Sequence, residues 1–180
     1  MYTRVLERLQ TVQNAEDGNQ KVDRMWERLV EIALFARTNS HRQPGQILKI
    51  FIKTGDATDT TAVTAPEEKR LRTVFSFLDK CYKETGLGNT RLARDLPHFY
   101  TMVTTLLSSD LLEADGAPPD YPNVRRKLNE FAKLLPDTAK PKKELAGALL
   151  EYKKAAARQT THPGQRRTRQ TKFLDISEAL

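Results

Sequence analysis

The sequence contains one cysteine among 180 residues, so no disulfide can form within the chain. Cys81 lies in a helical pattern of apolar residues, where a free thiol ordinarily packs as a small buried hydrophobe and is not reactive. The fold must therefore be stable without a disulfide framework. This cysteine usage predicts a reducing, cytoplasmic environment.

Long apolar runs are also missing. No stretch reaches the roughly 20 apolar residues that a membrane-spanning helix needs, and the first ten residues lack the apolar core of a signal peptide. The sequence therefore predicts a soluble chain with no membrane partner. A hydrophobic content of 38% in 180 residues is sufficient for one domain with its own core.

The common catalytic and metal-binding motifs are absent as well. There is no GlyLysSer or GlyLysThr phosphate loop, no HisGluXaaXaaHis pair, no CysXaaXaaCys and no glycine-flanked serine elbow. His41 and His162 lie in polar turns, and His98 follows Pro97 at a helix start. We therefore expect no metal site, no cofactor and no catalytic residue. An enzyme assembled from scattered groups such as His41 and Arg42 is the minor alternative.

Amphipathic periodicity dominates what is present. Apolar residues recur at spacings of three and four in about seven to eight segments, which predicts an all-α packed bundle. The sharpest pattern runs from Val22 to Phe35 and holds the only tryptophan, so we expect Trp26 at the centre of the core. Other helices are predicted near 3–13, in 46–52 (where a strand is the alternative), from Pro66 to Gly86, from Pro97 through Leu107, from Val124 to Leu135, from Pro141 to Arg158, and through Arg169 to Leu180.

Two segments interrupt this pattern. Residues 54–65 are rich in Thr, Asp and Gly and predict a loop. Residues 115–122 contain three prolines and cannot be helical through them. This connection divides a single helical domain, 1–180, into a main helical layer at 1–114 and basic C-terminal helices at 123–180.

The positive charge is concentrated in one segment. The chain carries a formal charge of +7, yet residues 140–172 hold ten Lys or Arg against two acids. Clustered cations bind nucleic-acid phosphates with an affinity that falls steeply with salt. We therefore expect Arg166, Arg167 and Arg169 to contact phosphates. The remaining candidates are Lys142, Lys143, Lys153, Lys154, Lys172 and Arg42.

Other interpretations of these charges stay open. Aromatic residues for base stacking are almost absent from the basic segment, so it could equally be a solvated face or bind an acidic protein partner. Arg42 precedes a predicted helix in a polar loop, 40–45, where an anion could meet it together with free backbone amides; an ordinary polar loop is the alternative. Asp23, Glu27 and Glu31 alternate with arginines and predict a solvated, salt-bridged helix face.

Three stretches together make up 33 of the 180 residues: TRVLERLQTVQN at 3–14, SHRQPGQILKIF at 40–51 and RRTRQTKFL at 166–174. They resemble a helix, a loop-to-helix junction and a closing basic helix of the GmrSD-type restriction and phage-defence proteins, which carry a ParB-like nuclease or NTPase domain. The DGQQR-type catalytic motif of that family follows a strand, whereas DGNQK at 17–21 here follows a predicted helix. The resemblance implies the helical module of a DNA-acting defence system, separated from its catalytic domain.

Overall fold

The computed structural model of the chain describes residues 29–43, 64–115 and 121–180. Every regular element in these ranges is helical and none is a strand, which confirms the all-α prediction. No helix within them is long and apolar enough to cross a membrane. The elements are α1 at 29–38, α2 (Ala65–Glu84), a 3-10 turn (Leu87–Asn89), α3 (Arg91–Arg94), α4 (Leu96–Ser108), α5 (Leu111–Asp115), α6 (Pro122–Leu134), α7 (Lys143–Ala157) and α8 (Pro163–Ala179).

Several predictions concern residues outside these ranges. They are the helix near 3–13, Trp26 as the centre of the core, the segment at 46–52, the loop at 54–63 and the middle of the connection at 116–120.

The ends of α2 lie where the sequence predicts them. The backbone N–H of Thr64 donates to Glu67 Oε2 at 2.8 Å, as part of a capping box, and Pro66 occupies the first turn, where its missing N–H costs nothing. At the other end Gly86 adopts a φ of +71°, a left-handed conformation that glycine adopts readily and that ends the helix. Inside the helix, Cys81 is completely buried, and burial raises the pKa of its thiol to about 12, which confirms its structural role.

The helix at the centre of the described fold is α4. Every residue from His98 to Leu107 is buried, and α2, α3 and α8 all pack against this helix. Two of its buried threonines, Thr101 and Thr104, donate their hydroxyls to the carbonyls of Pro97 and Tyr100, at 2.7 and 2.9 Å, which offsets the cost of burying these groups. The described part of the segment that the sequence favours as the centre, α1, contributes Ile32 and Phe35 to the same core.

The C-terminal helices form a hairpin that shares this core. The chain reverses over 158–162 between α7 and α8, which pack along each other. The ring of Phe173 on α8 lies 4.3 Å from that of Phe131 on α6, and Phe131 lies 5.1 Å from Tyr152 on α7. Tyr152 reaches α4, where its hydroxyl bonds to His98 Nδ1 at 2.9 Å. Tyr152 and Phe173 are therefore core residues, both fully buried.

Candidate nucleic-acid interface

The three arginines predicted as phosphate contacts lie on α8, in the most basic stretch of the chain. Arg166 and Arg169 are only 3% and 0% exposed, whereas Arg167 between them is exposed. The reason is the helical period, because residues three and four apart share a face and Arg166, Arg169 and Phe173 therefore face the core together. The helix directs two guanidinium groups into the protein and one into solvent.

Arg169 binds the backbone of neighbouring segments. Its Nε donates to Thr101 Oγ1 at 3.0 Å, and its two terminal nitrogens donate to the carbonyl oxygens of Ala155 and Thr160 at 2.9 and 2.8 Å. Ala155 lies in the last turn of α7, where carbonyl groups lack partners within the helix. Burial lowers the pKa of Arg169 to about 10, so it remains charged at neutral pH and holds α7, α8 and α4 together.

Arg166 joins α8 to the N-terminal part of the fold. One terminal nitrogen donates to Glu31 Oε2 at 3.1 Å and the other to the carbonyl of Arg42 at 3.0 Å. The guanidinium lies 4.2 Å from the centre of the Tyr100 ring, in the geometry of a cation–π contact. Glu31 is only 3% exposed, so the prediction that it lies on a solvated helix face is wrong. Its ion pair is with the distant Arg166, and the alternating arginines of its own segment lie outside the described residues.

These contacts correct the predicted phosphate-binding set. A phosphate outside the protein cannot reach Arg166 or Arg169 in this conformation, because both side chains are buried and engaged by protein groups. Helical register is the signal that separates them from Arg167, since only the first two share the face of Phe173. Of the three arginines, Arg167 alone is left as a surface candidate.

His41 also differs from its predicted place in a polar turn. The side chain is buried, its Nε2 lies 2.8 Å from Gln170 Oε1, and its ring stacks on Phe35 with centroids 4.8 Å apart. Burial, with added repulsion from Arg166, lowers its pKa to about 4. His41 is therefore a neutral core residue at physiological pH.

Arg42, the predicted anion ligand in the adjoining loop, is partly buried. Its carbonyl accepts from Arg166. The backbone amides at the start of the helix predicted at 46–52, which would complete an anion site with it, lie outside the described residues.

The predicted lysines divide into two groups. Lys172 contacts Glu151 at 3.2 Å and Asp175 at 3.3 Å, and Lys153 donates to the carbonyl of Pro136 at 3.1 Å. Their charges are thus partly used inside the fold. The others are exposed and have no acidic partner among the described residues: Lys142, Lys143 and Lys154, together with Arg158 at the end of α7.

A groove of about 740 Å³ lies between the C-terminal end of α7 and the N-terminal part of α8. Lys154, in the last turn of α7, and Arg158, which directly follows that helix, both border it. Among its described lining residues the acid is Glu151, whose carboxylate is bound by Lys172 at 3.2 Å. The complete lining is Glu151, Lys154, Ala155, Ala157, Arg158, Gln165 and Thr168.

The chemistry of this α7–α8 groove suits an oxyanion. Its two cations lack a charge partner among the described residues, and two neutral polar side chains stand opposite them. Arginine and lysine both bind phosphate oxygens through charge-assisted hydrogen bonds. Within the described ranges, no group of three or more His, Cys, Asp or Glu is placed to hold a metal ion.

Comparisons of the chain with protein-family models, with curated proteins and with solved structures found no match.

Proposed function

We propose that this chain is a non-catalytic helical module that contacts the phosphate backbone of nucleic acid through the α7–α8 groove. The observation that carries the proposal is the charge balance of the groove. Glu151 is paired with Lys172, which also contacts Asp175, whereas Lys154 and Arg158 have no ion pair among the described residues and present positive charge to the groove. Positive charge of this kind attracts phosphates regardless of base sequence.

The cations extend beyond the groove along α7. Lys143 lies on the same outward face of α7 as Lys154, and 15 residues before Arg158, which follows the end of that helix. At 1.5 Å per residue the row measures about 22 Å, a length over which one DNA strand presents about six phosphates along its axis. The row can therefore follow a backbone across several nucleotides.

The mode of contact follows from what lines the groove. Its described lining residues include no aromatic side chain, and base stacking on aromatic rings is the usual way in which proteins bind single strands. Phosphate contacts position a protein without reading sequence. We therefore expect binding that is sensitive to salt and indifferent to sequence.

The resemblance to GmrSD-type proteins supports a cellular setting for this module. In that setting the chain would hold DNA for a catalytic domain located elsewhere, as part of a restriction or phage-defence system. This part of the proposal rests on the stretches at 3–14, 40–51 and 166–174 alone.

Fluorescence anisotropy with labelled duplex DNA, titrated from about 50 to 200 mM salt, tests the proposal. In the groove variant Lys143, Lys154 and Arg158 are all replaced by Gln. A plot of log K against log salt has a negative slope, and each lost phosphate contact makes it less steep by about 0.9. For the groove variant we expect the magnitude of the slope to decrease by about 2 to 3 and the affinity at low salt to drop more than tenfold.

A matched control separates the groove from net charge. Lys69, Lys83 and Lys133 are exposed on α2 and α6, and their replacement by Gln removes the same three charges. The control should keep the slope of the unmodified protein. Equal losses in both variants would show that net charge alone attracts DNA, and absence of binding at 50 mM salt would overturn the proposal.

An acidic protein partner is the second candidate, and Leu150 favours it. Leu150 is 54% exposed, the large hydrophobic residue most exposed in the described ranges. It lies on α7 between Lys143 and Lys154, so a partner with an apolar centre and an acidic rim would match this face. Failure to bind DNA, together with a salt-insensitive dimer in light scattering that Leu150→Gln dissociates, would favour self-association through the apolar centre of this face.

A further inference from the structure

A small cavity lies beside the N-terminal end of α8, with no described lining residue in common with the α7–α8 groove. It measures about 30 Å³ and is lined by Glu31, Leu96, Pro97, Tyr100, Thr160, Thr161, Arg166 and Arg169. This exceeds the roughly 10–15 Å³ that a cavity needs to hold one water molecule. The cavity therefore has room for a water molecule or a monatomic ion.

The charges around this cavity do not balance. Two guanidinium groups, of Arg166 and Arg169, face one carboxylate, that of Glu31, among the described residues that line it. Burial raises the pKa of the Tyr100 hydroxyl to about 12, so that group is neutral. The first turn of α8 holds no acidic residue, and the helix dipole places further positive potential at this end.

One hydrogen-bond donor in the lining has no partner. Arg166 Nε is buried and makes no hydrogen bond among the described residues, although the terminal nitrogens of the same group bind Glu31 and the Arg42 carbonyl. A charged donor buried without an acceptor is costly. An acceptor that enters the cavity would relieve this cost.

A water molecule would accept the hydrogen bond from Arg166 Nε but would leave the excess positive charge. An anion would accept the same hydrogen bond and also balance that charge. We propose that the cavity binds a small monovalent anion of the halide class, chloride in its natural setting, held between Arg166 and Arg169. The carboxylate of Glu31 weakens the attraction, so we expect a Kd on the order of tens of millimolar. The site stabilises the packing of α8 against α1 and α4, and it stands independently of nucleic-acid binding.

Thermal unfolding in sodium bromide measures the effect in solution. Between 0 and about 200 mM bromide, at constant ionic strength, the Tm of the unmodified protein should rise by about 2 to 4 °C relative to Arg166→Lys. That variant keeps the positive charge but loses the Nε–H and the planar fork. Arg126→Lys, at an exposed arginine on α6, is the matched control and should respond as the unmodified protein does.

The Glu31→Gln variant distinguishes an anion-binding site from an ion pair that only stabilises the fold. Gln keeps the size and an acceptor oxygen for Arg166 but removes the opposing negative charge. We expect this variant to be less stable without halide and to show a larger bromide-dependent rise in Tm than the unmodified protein. An equal or smaller rise would overturn the proposal, and this remains true if Arg166→Lys does not fold.

Anomalous scattering from crystals grown in bromide locates the ion. The expected peak lies within about 3.5 Å of Arg166 Nε, slightly beyond an ordinary N–H···O distance because the ion is larger than oxygen. A cavity without a peak holds water, and the proposal fails. A peak without the Glu31→Gln response in solution means binding at crystal concentration only, which also overturns it.

Discussion

At the scale of single residues, the most informative feature is a buried arginine that has no carboxylate bonded to it among the described residues. Arg169 donates to three neutral oxygens, from Thr101, Ala155 and Thr160. A planar guanidinium can reach acceptors in several directions at once, which a lysine ammonium on a flexible stem does less well. Arg169 donates to these three oxygens the hydrogen bonds that water would donate if they were exposed.

Replacing Arg169 with Met should therefore destabilise the protein strongly. The new side chain is apolar and leaves two backbone carbonyls and one hydroxyl buried without that donor, so the free energy of unfolding should fall by about 3 to 5 kcal/mol. Urea denaturation followed by circular dichroism measures this. Arg167→Met, at the exposed neighbour, should change the same quantity by less than about 0.5 kcal/mol; equal effects of the two substitutions would contradict the assignment of Arg169.

At the scale of the elements, two glycines show how conformation decides the effect of one substitution. Gly147 lies on the exposed face of α7, and a Cβ there would meet no atom within 4 Å. Gly86 also has open space around it, but its φ of +71° is one that side chains with a Cβ adopt at a cost. The free space around the two glycines predicts the same effect for a Gly→Ala substitution at both positions. Their backbone conformations predict different effects.

Gly147→Ala should raise the free energy of unfolding by about 0.5 to 1 kcal/mol, because alanine loses less backbone freedom in a helix. Gly86→Ala should lower it by about 1 kcal/mol, since the left-handed turn after α2 is then strained. Thermal melts should show Tm shifts of opposite sign, about 2 to 4 °C per kcal/mol for a chain of this size. Shifts of the same sign would contradict this interpretation.

At the scale of the whole molecule, two buried histidines link stability to pH. Burial is the main cause that lowers the pKa of both His41 and His98 from 6.5 to about 4. His98 bonds to Tyr152 and His41 to Gln170, so the neutral rings belong to contacts between α4, α7 and α8. The unfolded chain takes up protons below about pH 6.5, while the folded chain does so only near pH 4.

Stability should therefore fall as pH decreases through the window from 6.5 to 4. Between pH 7 and 5.5, where most carboxylates are still ionised, each histidine should remove about 1 kcal/mol from the free energy of unfolding. His41→Gln should remove about half of this pH dependence in urea titrations. His162→Gln, at an exposed position, is the control, and a similar loss in both variants would contradict the role of buried His41.

Much of the fold could be predicted because the deciding signals are local. The start of α2 follows from Thr64, Pro66 and Glu67, which lie within four residues of one another, and its end follows from Gly86. Pro97 lies in the first turn of α4, as predicted. Pro122 and Pro163 are the first residues of α6 and α8, although the sequence predicts a non-helical connection at 115–122, so the starts of these two helices were not predicted. Local steric and hydrogen-bonding effects of this kind need no knowledge of the remaining chain.

The candidate site could be predicted only in part. Composition indicates that 140–172 is basic, and Lys142, Lys143, Lys154 and Arg167 are indeed exposed. The groove itself depends on Lys172 meeting Glu151 across two helices, a pairing between residues 21 positions apart. Whether these cations bind nucleic acid stays a prediction.

The sequence by itself determined that the chain is helical, where α2 begins and ends, and that its excess positive charge lies near the C-terminus, but it did not indicate the short helices α3 and α5. Only the tertiary structure decided which of those charges remain at the surface. Arg166 finds Glu31 135 residues away, and Arg169 finds Thr101 68 residues away. A long basic side chain is amphipathic, so it can be buried where the protein interior offers hydrogen-bond acceptors for its charged group, and otherwise it stays at the surface. In this protein those acceptors belong to segments that are distant in the sequence.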